Sequence, residues 1–167
     1  MADLDTLGVI ERQYGASLAM LGHAIELCRD DLWLSENHRN RFWHIAYHVL
    51  FYTQLYVQPA HSDFKSWPKH RQDYQYLGPR PGAPEETQRA EIPYSKPEML
   101  EYHEFCRGEV AARVRSLDLN APSGFDWLPF NKLELQFYNI RHIHHHTGQL
   151  ADRLRASAQV GLAWVRL

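Results

Sequence analysis

The chain has 167 residues, of which 44% are hydrophobic, 13% aromatic and 23% charged, and its formal net charge is −2 at neutral pH. That length and composition suit one packed domain, residues 1–167, and exclude a disordered chain. The slight negative charge removes any global attraction to phosphate backbones or anionic lipid, so neither nucleic acid nor a membrane is expected as a partner.

The opening "MADLDTLGVIERQYG" has no basic start, long apolar stretch or small-residue cleavage site, so no export signal is expected. Leu7, Ile10, Tyr14, Leu18, Leu21 and Ile25 recur at steps of three and four, which predicts a first amphipathic helix over 5–29. "LSENHRN" reads as a polar turn. A second helix follows over about 37–57, apolar around nearly its whole circumference and therefore central. Its richest stretch, "FWHIAYHVLFYTQLYV", is broken by His44, His48, Thr53 and Gln54, which makes it a poor membrane span and a good buried helix. Cys28 and Cys106 are far apart and in no redox or zinc motif, so reduced thiols and a cytoplasmic setting are expected.

Between Gln58 and Ile92 the prolines at 59, 68, 79, 81 and 84, with Gly78 and Gly82, forbid a continuous helix. A connection this long inside a compact domain crosses over or lines a site, and Trp67, Tyr74, Tyr76 and Leu77 predict that part of it packs down. In "SKPEML", Ser95 and Glu98 form a capping box and Pro97 suits an early helical position, opening a third helix to about Leu117. After the turn-rich "DLNAPSGFDW", a fourth helix runs over about 131–156, and the apolar "GLAWVRL" should dock on the helices or on a partner chain. The expected fold is all-α: a four-helix bundle with a long crossover between its second and third helices, an architecture that places metal sites between facing helices.

The fourth helix contains "NIRHIHHHTGQLADRLR", with four histidines in five consecutive positions. At about 100° per residue His142 and His146 point nearly the same way, whereas His144 and His145 turn aside and read as solvated or hydrogen-bonded. The pair flanks an apolar stripe of Leu133, Ile140, Ile143, Thr147, Leu150 and Leu154. Imidazoles at i and i+4 can grip one transition metal, and a catalytic metal needs a third protein ligand and an open position. The second helix can supply that ligand from His48, which shares a face with His44, Phe51, Tyr52 and Leu55; His44 is held in reserve. Hydrogen-bonded core histidines account for the same pattern without a metal. His23, His38, His61, His70 and His103 have no partner at ligand spacing and read as surface or local-packing groups. Gln149, one turn beyond His146, could orient a ligand, while Arg141 and Arg153 could pair with acids or face solvent. Tyr47, Tyr52 and Tyr138 read first as core and second as pocket wall.

The combination of "WHIAYHVLFYTQLY" with a much later "RHIHHHTGQL" resembles the DinB-like and YfiT-like family of metal-binding four-helix bundles. The resemblance covers most of the chain and is most specific at "RHIHHHTGQL", which is similar to the family's RH..HH.GQL signature. It implies a metal triad of His48, His142 and His146, a divalent zinc, nickel, iron or manganese ion with room for water, and a homodimer. It also implies a small-molecule substrate and one of several reactions, among them hydrolysis and thiol S-transfer with a low-molecular-weight thiol such as bacillithiol or mycothiol. Three neutral histidines leave a metal its full charge, which suits activation of water or of a thiol. Hydrolysis would want a general base, and Glu134, Asp152 and Glu104 lie on predicted helices without a derived proximity to the metal. The alternative is a non-catalytic metal-binding or stress-associated interaction protein, whose metal serves stability.

Overall fold

The computed structural model describes residues 5–86 and 90–166. The described residues are helical with no strand, apart from one isolated bridge between Pro122 and Asn131. Helix α1 spans Thr6–Leu27 and starts where the Asp5 carboxylate accepts a hydrogen bond from Gly8 N at 2.8 Å. It buries Ile10, Tyr14, Leu18, Leu21 and Ile25, the face its periodicity predicts. A one-turn helix α2, Asp30–Trp33, follows between the predicted first helix and the polar turn, where the sequence reading assigns no element. It forms because Leu32 and Trp33 are buried and the Trp33 indole donates to the Tyr94 carbonyl at 2.9 Å.

Helix α3 spans Phe42–Tyr56, starting later than expected because residues 35–40 are polar and give a helix nothing to bury. Within α3 only His44, His48 and Tyr52 escape full burial. They stand four residues apart on one line, so a single stripe of an otherwise enclosed helix faces open space.

The crossover then packs down as its aromatic residues predict. Trp67 stacks on Tyr102 at 4.4 Å, and Tyr94 stacks on Tyr47 at 4.9 Å. Tyr47, buried in this aromatic cluster, belongs to the core and not to a pocket wall. Helix α4, Lys96–Arg113, carries the expected capping box at Ser95 and Glu98 and runs on into a 3₁₀ turn at Val114–Ser116. Helix α5, Lys132–Ala158, is capped by Asn131 and ends at Gln159 in the left-handed region, φ 56°.

The buried face of α5 is rotated from the predicted stripe. Leu135, Gln136 and Asn139 are buried, while Leu133 and Ile140 are only half-buried. The amides can turn inward because Gln136 accepts from the Tyr14 hydroxyl at 2.9 Å and Asn139 donates to the Thr53 carbonyl at 3.3 Å. The segment before α5 is tied to the end of α3 by Lys132, whose ammonium donates to the carbonyls of Gln58, Pro59 and Ser123. Gly124, at φ +84°, allows the same approach, since a Cβ there would sit 2.3 Å from the Pro59 oxygen.

Helices α1 and α3 each pack against both α4 and α5, so the core lies among these four. Of the C-terminal apolar segment, Leu162 packs on the core, but Trp164 is 73% exposed, its ring stacked at 6.4 Å from the His144 ring. No helix among the described residues is long and apolar enough to cross a membrane. Cys28 and Cys106 are buried free thiols, and burial pushes both up, Cys28 to about 12, so neither is a ready nucleophile.

Candidate metal centre

The packing of α3 on α5 brings His48 against His142 and His146. The three ring centroids lie 4.7 to 4.9 Å apart, and one nitrogen from each ring falls within 4.8 Å of the others. Imidazole nitrogens bound to one metal at about 2.0–2.1 Å are separated by roughly 3 Å, so small side-chain adjustments suffice for the three to hold an ion.

Hydrogen bonds fix which nitrogens face inward. His48 Nδ1–H donates to the Gln75 carbonyl at 2.6 Å, and a carbonyl can only accept, so the lone pair of His48 is on Nε2. His146 Nδ1–H donates to Gln149 Oε1 at 2.8 Å, and the Gln149 amide donates onward to His145 Nε2 at 3.4 Å. Its lone pair is likewise on Nε2. His48 Nε2 stands 2.9 Å from His142 Nε2, while the buried His142 Nδ1 has no partner. A proton on His142 Nε2 or a cation shared by the two nitrogens would satisfy that contact; the proton leaves the inward lone pair of His146 unused, whereas the cation engages all three rings.

Burial disfavours the charged imidazoles. His48 and His142 are each pushed down to about 3, first by desolvation and further by their histidine neighbours, and His146 is lowered by burial against the opposing hydrogen bond to Gln149. All three are neutral at neutral pH, the form that ligates metal.

The other histidines are engaged elsewhere. His44 Nε2–H donates to the Tyr74 carbonyl at 2.9 Å and takes no part in the cluster. His144 reaches across to α1, its Nε2–H donating to Ser17 Oγ at 2.9 Å. His145 is exposed at the end of the Gln149 relay. His70 pairs with the Tyr47 hydroxyl, and His103 is buried, bonding to the Leu18 carbonyl at 2.8 Å, which is local packing deeper than a surface group. Arg153 donates to the Asn40 carbonyl, and Arg141 lies 5.4 Å over the Tyr138 ring.

The triad stands at the head of a cavity of about 800 Å³ that also contains Tyr52, Tyr76, Tyr138, Gln75 and Trp127 in its wall. Glu134, Asp152 and Glu104 are exposed and absent from that wall, so none is placed as a general base. A second cavity, of about 870 Å³ and more polar, lies at the start of α3 between Arg39, Arg41 and the crossover, away from the triad. The Gln75 carbonyl and Trp127 carry no residue-type signal that could have flagged them, because one acts through its backbone and the other through the course of a loop.

Comparison with protein-family models, curated proteins and solved structures gives no match to the chain.

Proposed function

We propose that the protein is a metal-dependent enzyme of the DinB-like kind, a four-helix bundle in which His48, His142 and His146 hold one divalent transition metal at the head of the α3–α5 cavity. The observation that carries this reading is the convergence of three neutral imidazoles, two of them with the outer nitrogen committed to a hydrogen bond and the inner one turned toward the cluster. A metal bound there supplies positive charge that lowers the pKa of a coordinated water or thiol toward neutrality.

The chain's own residues have separate tasks. The Gln75 carbonyl and Gln149 orient His48 and His146 and keep their Nδ1 atoms protonated. Tyr52 packs edge-on against His48 and His142, at 4.9 and 5.6 Å, and shields that side of the cluster from solvent. Because no carboxylate is among the described residues lining the cavity, the arrangement supports thiol S-transfer to a small electrophile, which needs no separate base, ahead of hydrolysis. The adjoining cavity favours this enzyme over a closed metal centre serving stability alone. A cytoplasmic homodimer completes the proposal.

The test is cobalt(II) substitution followed by addition of a small thiol. Binding of about one ion per chain, with a visible spectrum that shifts as the thiol enters, is the expected result. A bound ion whose spectrum ignores added thiols would favour the closed, structural centre.

A further inference from the structure

We infer that the cavity takes a substrate with a flat, uncharged aromatic body, laid along α3 with its reacting group toward the triad. The inference rests on the metal reading for the direction of the substrate, but the nature of the body follows from the walls alone.

Charge gives the first constraint. No Asp, Glu, Lys or Arg is among the described residues lining the cavity. Apart from the three clustered histidines, its ionisable groups are tyrosines and His61. Burial raises the hydroxyl pKa of Tyr56 to about 12, so it stays uncharged at neutral pH. A carboxylate, phosphate or ammonium on the ligand body would surrender its hydration without gaining a counter-charge, whereas an uncharged body loses little.

Shape gives the second. His48, Tyr52 and Tyr56 stand one turn apart on the same line of α3, so the wall they form runs about 12 Å from the triad. Aromatic rings stand at steep angles in the lining: Tyr56 meets Tyr138 at 5.8 Å and 78°, and Phe51 meets Phe64 at 5.2 Å and 71°. Such rings offer both faces and edges to a planar guest. At the mouth Trp127 is 51% exposed and touches His61 edge-on at 5.1 Å, leaving a large apolar ring that a guest would cover. The volume of about 800 Å³ is in the range that small-molecule sites occupy.

Calorimetry on the zinc-loaded protein tests this with four probes: acetohydroxamate, naphthalene-2-hydroxamate, the same naphthyl hydroxamate carrying a ring sulfonate, and naphthalene-2-carboxamide, which has no strong chelating group. The naphthyl hydroxamate should bind at least about tenfold tighter than acetohydroxamate, and the sulfonate should erase that gain. Trp127→Ala should weaken the naphthyl probes several-fold and leave acetohydroxamate unchanged. If acetohydroxamate binds as tightly as the naphthyl compound, or the sulfonate binds best, the inference is overturned while the metal site stands. If the carboxamide binds to both wild type and His142→Ala but no hydroxamate gains over it, the aromatic body is upheld and the metal reading fails.

Discussion

His48 and His146 each spend one ring nitrogen on a hydrogen bond and keep the other for the cluster, so the groups behind them set how well the lone pairs are aimed. Gln149→Ala removes one such group. Metal affinity should fall about ten- to hundredfold, read by competition with a chromophoric chelator, and an unchanged affinity would mean that Gln149 orients nothing. His144→Ala tests the opposite expectation. It loses the bond to Ser17 and should cost about 1 kcal/mol in urea unfolding, with metal content intact. The division of the histidine run was legible in the sequence because 100° per residue separates His142 and His146 from their neighbours. The partner of His144 was not, since nothing in α5 says that Ser17 of α1 will stand opposite, and the Gln75 carbonyl leaves no mark on residue identity.

At the scale of elements, α1 approaches α4 through Gly22, where an added Cβ would lie 2.9 Å from Cε1 of the His103 ring. That ring is buried and held by its bond to the Leu18 carbonyl, so it cannot swing away freely. Gly22→Ala should destabilise the fold by about 1 to 3 kcal/mol, and a neutral result in urea unfolding would show that the helices separate at little cost. Capping offers a smaller effect, since Ser95→Ala removes half of the box at the start of α4 and should cost about 1 kcal/mol. The first helix was readable from its periodicity, the third from its capping box and the crossover from its prolines. The exact face of α5 was not, because an apolar stripe ignores amides such as Gln136 and Asn139 that are buried with partners from other helices. The short helix α2 escaped notice because it depends on Trp33 finding Tyr94, 61 residues away in sequence.

For the whole molecule, the buried neutral histidines link stability to pH. His48 and His142 have folded values of about 3 against 6.5 for the free group. Above 6.5 both states are neutral and these groups make no difference; below it the unfolded chain takes up protons that the folded one refuses. Stability of the metal-free protein should therefore fall as pH drops from 6.5 toward 3, by about 1.4 kcal/mol per unit for each group. Chemical denaturation at pH 7, 6 and 5 checks the slope, and a flat profile would mean that the cluster accepts protons easily. A ligand that binds only the folded state adds stability in proportion to the logarithm of its concentration over its Kd, about 2.7 kcal/mol at a hundredfold excess. That gain should be absent in His48→Ala.

The most direct measurement is elemental analysis of tag-free protein after reconstitution with zinc, nickel, manganese or iron, alongside His48→Ala, His142→Ala, His146→Ala and His144→Ala. About one metal ion per chain in wild type and His144→Ala, and loss in each of the other three, is the predicted result. Wild-type protein that retains no metal, or a His144→Ala variant that alone loses it, would contradict the three-histidine centre.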